Sequence, residues 1–346
     1  MAYTTIDKPT DYFNTVLFTG NGGSQTITGV GFQADFIWFK ERSSAGEHKL
    51  NNSVLGTNNY LISNSTSGDD TTGSGIQSYN SDGYAISNAS NINDSGETYV
   101  TWNWLAGGST ASSNSNGSIT SSVSANTTAG FSIVSYTGTG SNATVGHGLG
   151  SAPDMYIIKR RSATEHWQVY HSGNTSAPQT DYLQLSTNEA TVDDVVRWND
   201  TAPTSSVFSV GTHASVNGSS STYIAYCFHN VKGYSKFGSY TGNGNADGTF
   251  IYTGFAVSWL MMKRTDSAGE WLIYDNKRDA FNLRDTRLEA QDNFADSTGT
   301  TKVFDFLSNG FKCKGSDTDI NASGSNYIYM AFAESPFVSS GGIPTT

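Results

Sequence analysis

The sequence is short of the features that make helices, membrane spans or disulfide frameworks. Charged residues are only 14% of its 346 positions, and 19 Lys and Arg stand against 30 Asp and Glu, a formal net charge of −11. A surface of that sign repels phosphate backbones and anionic headgroups, so nucleic acid and membrane are not expected as direct partners. No apolar stretch approaches the roughly 20 residues that a membrane-spanning helix needs. The opening Met1-Ala2-Tyr3-Thr4-Thr5-Ile6-Asp7-Lys8 has no apolar signal-peptide core. A protein made and folded in a cytoplasm is expected, or one whose leader has been removed. Two cysteines, Cys227 and Cys313, both in apolar or strand-like surroundings, are no disulfide framework in a chain this long.

What is abundant points to strands. There are 37 glycines and a heavy load of Ser, Thr and Asn, and hydrophobic residues reach only 36%. Aromatics at 12% compensate, because each ring buries a large area. A chain rich in Gly, Thr, Tyr and Val and low in Leu, Ala, Glu and Lys favours strands and turns. Its length suits two or three domains of about 100–150 residues.

Self-similarity sets the architecture. A strand ending in a Gly turn occurs as Leu17-Phe18-Thr19-Gly20-Asn21-Gly22, Ser135-Tyr136-Thr137-Gly138-Thr139-Gly140 and Ser239-Tyr240-Thr241-Gly242-Asn243-Gly244. An apolar run ending in a base follows each time: Asp35 to Lys40, Asp154 to Lys159, Ser258 to Lys263. Short strands come next, around His48 to Leu50, Trp167 to Tyr170 and Trp271 to Tyr274. Each repeat closes on a tyrosine-led strand from Tyr99, Tyr223 or Tyr327, spaced 124 and 104 residues apart. A period this long is a whole domain rather than a solenoid unit.

The expected fold is therefore all-β, three tandem β-sandwiches of concanavalin or jelly-roll type. Runs such as Phe36 to Phe39 read as central strands covered on both faces. The expected boundaries are an N-terminal arm over 1–14, repeats over 15–105, 118–230 and 231–338, a Gly/Ser/Asn linker over 106–117 and a loose tail over 339–346. The best helix candidate is 279–295, against which Leu288 lines up with Leu61 and Leu183 in strand-like contexts.

Four segments, 12–22, 223–238, 240–244 and 327–337, resemble a repeated domain of tailed-phage virion proteins that is common in phages of marine bacteria. The likeness runs over nearly the whole chain. It implies a lectin-like, concanavalin-type sandwich and a place on the virion, and it brings no set of binding residues. No collagen triplets or coiled-coil heptads suggest a shaft, so a fibre protein of this sequence is a head or knob.

Signatures of chemistry are missing: no nucleophile elbow, phosphate loop, His-Glu-x-x-His or Cys-x-x-Cys. None of the eight glutamates opens the Glu-x-Asp pattern of sandwich glycosidases. Asp275 and Asp279 read as turn and surface residues, and His147, His166 and His171 as solvated or turn-bonded. No cofactor is expected, with one possible exception: Asp317, Asp319 and Asn321 alternate oxygens as a calcium loop does, though Ala322 stands where an EF-hand needs glycine. Glycan binding needs an exposed aromatic beside amide or carboxylate groups. The candidates are Trp198 with Asn199 and Asp200, and Tyr79 and Tyr84 around Asp82, with Tyr60 after Asn58-Asn59. Lys40, Lys159 and Lys263 read as strand-end residues.

These readings converge on a non-enzymatic virion protein, assembled in the bacterial host cytoplasm. The leading role is a tail-associated adhesin contacting host surface glycan, homo-oligomeric with a trimer favoured. Rivals are a capsid decoration or accessory protein without sugar binding, and a polysaccharide depolymerase.

Overall fold

The computed structural model describes residues 3–73, 75–108 and 110–345. Two residues of the expected arm, Ser109 of the linker and Thr346 of the tail lie outside the described residues. The protein is all-β. Repeat 1 contributes β1 (Phe13–Thr19), β2 (Gln25–Ile27), β3 (Phe36–Glu41), β4 (Lys49–Asn52), β5 (Leu61–Ile62), β6 (Ile76–Asn80), β7 (Gly83–Ile86) and β8 (Thr98–Trp104). Repeat 2 contributes β9 (Ser112–Asn114), β10 (Ser121–Asn126), β11 (Phe131–Thr137), β12 (Ala143–Gly146), β13 (Met155–Arg160), β14 (Gln168–His171), β15 (Asp181–Gln184), β16 (Val192–Asp193), β17 (Val207–Val210) and β18 (Thr222–Phe228). Repeat 3 contributes β19 (Ser235–Thr241), β20 (Phe250–Tyr252), β21 (Phe255–Arg264), β22 (Leu272–Asp275), β23 (Leu288–Glu289), β24 (Phe304–Leu307), β25 (Gly310–Cys313) and β26 (Asn326–Pro336). The helices α1 (Val195–Trp198), α2 (Ala214–Asn217) and α3 (Thr318–Asn321) are single turns.

One sheet order recurs three times: β1-β8-β3-β4-β5, β11-β18-β13-β14-β15 and β19-β26-β21-β22-β23. A small second sheet covers one face of each: β2-β7-β6, β12-β17 and β20-β25-β24. Repeat 2 alone extends its main sheet, with β10 and β9 beyond β11 and β16 beyond β15. The segment 279–295 is not helical; Leu288 pairs with Ile273 in β22, as its alignment with Leu61 and Leu183 implies. The stretch 106–117 is not a free linker either. Its Ala106 and Gly108 amides donate to Asp35, and β9 pairs with β10. The tail is tied at Asp7, which accepts from the Ser340 amide at 2.6 Å.

The Gly turns have a specific cause. A Cβ on Gly20, Gly138 or Gly242 would sit 2.2, 2.5 or 2.3 Å from the carbonyl oxygen of Asp94, Gly218 or Ala322. The turn thus passes directly against the segment that leads into the closing strand. Each turn is locked by a buried asparagine: Asn93, Asn217 and Asn321 accept from the amides of Asn21, Thr139 and Asn243 at 2.8–2.9 Å. The closing tyrosines finish the motif. Tyr99, Tyr223 and Tyr327 stack on Phe18, Tyr136 and Tyr240 at centroid distances of 5.1, 5.1 and 4.9 Å.

Strand alternation divides each main sheet between two cores. Ile37 and Phe39 of β3, Tyr156 and Ile158 of β13, and Leu260 and Met262 of β21 face their own sandwich. Their neighbours Phe36 and Trp38, Met155 and Ile157, and Trp259 and Met261 face one common core to which all three repeats contribute. Aromatics interlock across it: Phe36 stacks on Tyr226 at 4.2 Å, Phe13 on Phe332 at 4.7 Å, and Trp104 meets Trp259 edge-on at 5.7 Å. An isolated sandwich would expose this face, forfeiting about 1.5–3 kcal/mol for each large apolar side chain left in water. The repeats therefore close into a ring around a shared interior.

The ring is also closed by hydrogen bonds of one pattern. Six residues after each strand-end lysine, an amide donates to the preceding repeat: Glu165 to Thr66, Gly269 to Asn188 and Gly46 to Asn293, at 2.8–2.9 Å. In return Asp69 donates to Arg161, Thr191 to Thr265 and Asp296 to Arg42. The direction is 2 to 1, 3 to 2 and 1 to 3, so no repeat is left terminal.

Candidate functional site

The predicted glycan residues are mostly core. Trp198 is fully buried, packs edge-on against Tyr156 at 5.0 Å, and donates through Nε1 to the Asp181 carbonyl at 2.9 Å. It offers no face to a sugar. Asn199, in the left-handed region at φ 53°, caps α1, and its side chain accepts from Asn142. Asp200 is exposed but has lost its aromatic neighbour. Tyr84 is buried and donates to Thr101 Oγ1; Tyr79 is half-buried with its hydroxyl toward the Gly56 carbonyl. Asp82, exposed on the same hairpin, accepts from the Gly29 and Gly31 amides, which hold its carboxyl below the ordinary range. Tyr60 is buried and donates to Asp70 at 2.6 Å. A tryptophan followed by Asn-Asp reads in sequence as a rim platform, but here the ring is turned into the core and Asn199 caps a helical turn.

The calcium triad does not converge. Asp317 caps α3 by accepting from the Asp319 amide, Asp319 pairs with Lys302, and Asn321 is the buried turn lock. Asn321 Nδ2 donates to the Asn245 and Gly315 carbonyls and to Asn243 Oδ1. Its equivalents Asn93 and Asn217 do the same work, so the residue type is required by the turn. Among the described residues no group of three His, Cys, Asp or Glu is placed to hold a metal ion.

The remaining chemical candidates are also occupied. Asp275 is buried rather than on the surface. It accepts from the Trp102 indole at 3.1 Å and, at 2.6 Å, from Arg278, whose side chain is fully buried. Asp279 accepts from the Asp285 and Thr286 amides in a turn. His147 and His171 each accept a turn amide, from Leu149 and Gly173, and burial lowers both, His171 to about 4. His166 meets Ser186. Both thiols are buried, and burial pushes Cys313 up to about 12.

The strand-end lysines carry more than the sequence shows. All three are buried, and burial lowers each to about 8. Lys159 donates to the Thr66 carbonyl at 2.8 Å and Lys263 to the Asn188 carbonyl at 3.2 Å, each reaching into the preceding repeat. Lys40 donates to the Glu41 carbonyl at 2.6 Å. Their threefold recurrence was the available signal; the partner carbonyls lie about 75–93 residues away and leave no local trace.

Open polar space lies at the rim. A cleft of about 460 Å³ is walled by Tyr3 and Thr5 of the arm, Thr127 and Thr128 between β10 and β11, Ser151, and His229 to Lys232 at the junction of repeats 2 and 3. Lys232 Nζ stands 4.1 Å from the Tyr3 ring centroid. His229 lies 3.0 Å from Asp154, whose carboxylate raises the imidazole above its ordinary value. The cleft thus combines one aromatic face, several hydroxyls and two basic groups.

Residues 8–336 match a family model described as Domain of unknown function (DUF7483). The chain belongs to that family. Its match begins at the turn before β1 and ends with β26, so the DUF7483 unit takes in all three repeats. A search of curated proteins found no match.

Proposed function

We propose that the chain is a non-enzymatic display module of a tailed-phage virion, a tail-associated adhesin whose lectin-like sandwiches contact host surface glycan. The observation that supports this reading is the closed ring of three sandwiches. Its candidate catalytic and metal-binding groups are spent on internal bonds, while a varied set of polar groups gathers at one rim cleft. In that cleft Tyr3 offers a stacking face, Thr5, Thr127, Thr128 and Ser151 offer hydroxyls, and His229 and Lys232 suit an acidic sugar. No cofactor enters this reading. The reading includes a homo-oligomer of such rings, with a trimer favoured.

Gold-labelled antibody against the chain, imaged on intact particles, tests the placement, and label confined to the tail is expected. Glycan screening then tests the cleft. Lys232→Ala should lower binding severalfold without changing thermal stability, and His229→Ala should lower it too, with a small stability loss from the broken Asp154 pair; binding unchanged in both would remove the cleft from the proposal. A second reading is favoured by the threefold form itself: an accessory protein seated on a local threefold of the capsid. Label over the head at hundreds of copies per particle would select it.

A further inference from the structure

The small second sheet carries rings on its outer face in one repeat and not in the other two. Ile27, Val145 and Ile251 hold equivalent inward places, each buried and each opposite a ring of its own core: Tyr84, Phe208 and Phe311. The residues on either side of them lie on the opposite face of the strand. These are Thr26 and Thr28 in repeat 1 and Thr144 and Gly146 in repeat 2. In repeat 3 they are Phe250 and Tyr252, 45% and 49% exposed. The sandwich does not require rings at these places, since two copies of it form without them.

A second change accompanies the first. Lys236, four residues before Tyr240 on β19, stands where repeats 1 and 2 have Asn14 and Ser132. Its Nζ donates to the Tyr252 carbonyl at 2.6 Å and lies 5.6 Å from the Tyr252 ring centroid, which leaves two N–H groups over. Tyr252 in turn meets Tyr3, their hydroxyls 3.0 Å apart. The rim cleft, whose aromatic face is Tyr3, therefore continues onto β20 as a row of Tyr3, Tyr252 and Phe250. The last two are about 6.8 Å apart along the strand. Among the described residues neither Lys232 nor Lys236 forms an ion pair, whereas Lys312, opposite Phe250 at the far end, is already paired with Asp247 at 2.9 Å. Two uncompensated ammonium groups thus flank one row of rings in a chain of net charge −11.

We propose that this row is the second half of the glycan site, and that its ligand is an anionic oligosaccharide chain rather than a single terminal sugar. The inference rests on the glycan reading of the cleft and extends it. Sugar rings present C–H faces that lie on aromatic rings, and Tyr252 and Phe250 each take one unit. Carboxylate or sulfate groups on successive units meet Lys232 and Lys236. A chain gains over separate sugars because a unit held in the cleft keeps its neighbours at high effective concentration over β20.

The test is titration calorimetry of the full chain with oligogalacturonides of one to six units, and with malto-oligosaccharides of the same lengths as the neutral series. Affinity for the acidic series should rise by about tenfold or more between one unit and four, and should exceed that for the neutral series. Phe250→Thr installs the residue with which repeats 1 and 2 fold, and Lys236→Gln keeps a donor for the Tyr252 carbonyl, so the melting temperature of both should hold. Each should cut the four-unit affinity severalfold and narrow the ratio between four units and one. Lys232→Ala should lower affinity at every length. Acidic binding that does not depend on length, or a length gain that survives both β20-side variants, overturns the extension and leaves the cleft standing. Equal affinity for the neutral series overturns the anionic class. No binding of the acidic series at any length overturns the inference, and the glycan screen then decides the cleft on its own.

Discussion

The seam between repeats 1 and 2 and the seam that joins repeat 3 back to repeat 1 are built from equivalent positions with opposite chemistry. At the first, Asn52 donates to the Tyr226 hydroxyl and Trp167 donates to the Ile62 carbonyl. Among the described residues its one ion pair is Arg161 with Asp69, which is partly exposed. At the closing seam the counterpart of Asn52 is Asp275, which meets Trp102 and the buried Arg278. Arg278 also reaches Asp296, which pairs with Arg42. The counterpart of Trp167 is His48, whose Nδ1 accepts from Trp38 at 2.8 Å. Its Nε2 lies beside the Glu289 carbonyl without a hydrogen bond among the described residues. Repeats 1 and 2 are consecutive in the chain, whereas the closing seam joins its two ends. That seam concentrates directional charge where chain connectivity holds least. A buried ion network is no great source of net stability, but it punishes misalignment.

The contrast is sharpest at Arg278. Arg278→Ala leaves Asp275 buried and uncompensated, and urea denaturation should show a loss of about 3–5 kcal/mol. Asp69→Asn at the first seam should cost less, about 1–2 kcal/mol, because Arg161 keeps partial access to water once its partner is neutral. Equal losses would mean that the two seams are energetically alike.

The three buried lysines give a signal common to all seams. Each is lowered to about 8 in the fold, against roughly 10.4 in an unfolded chain. Between these values the unfolded chain binds more protons, so stability should rise as pH climbs from about 8 toward 10. Above that, unfolded tyrosines ionise while buried ones such as Tyr84 and Tyr226 resist, and stability should fall. Lys40→Met and Lys159→Met should each remove about a third of the rise in the urea midpoint. A flat profile in the parent chain would contradict the burial.

The turn locks should show no such asymmetry. Asn93→Ala, Asn217→Ala and Asn321→Ala each orphan the same buried turn amide, at about 1–3 kcal/mol apiece, and their melting shifts should agree. The smallest effect is acidic. Burial and the nearby Lys40 and Arg278 charges hold His48 well below its ordinary value, so the unfolded chain gains the proton first below about pH 6.5 and stability declines. His171, between repeats 2 and 3, adds to the same limb down to about 4. His48→Gln should flatten part of that limb, and an unchanged acid slope would assign it to the other histidines that burial lowers, His171, His147 and His213.

The sequence carried the repeat because each marker answers a local demand. The Gly turns, the closing tyrosines and the apolar runs with their terminal lysines sit where backbone approach, ring stacking and two-sided burial require them. The apolar runs announced two covered faces but not what covered the second one, since periodicity is blind to a neighbour a hundred residues away. That gap explains the misplaced site residues. With a shared interior to fill, aromatics such as Trp198 and Tyr84 are consumed as core, and the Asn and Asp beside them serve turns. The rim cleft was illegible for the converse reason: its walls come from the arm, two turns and a junction far apart in sequence, none of them a motif.

The covalent continuity of the ring changes its mass action. Three separate subunits of this shape would fall apart on dilution, with an assembled fraction tied to the third power of subunit concentration. Here the second and third sandwiches meet the first at the effective concentration set by short connections, whatever the bulk concentration. Closure of the ring itself is then intramolecular and does not depend on dilution. Freed from sequence identity among its parts, each seam and each edge can be altered alone.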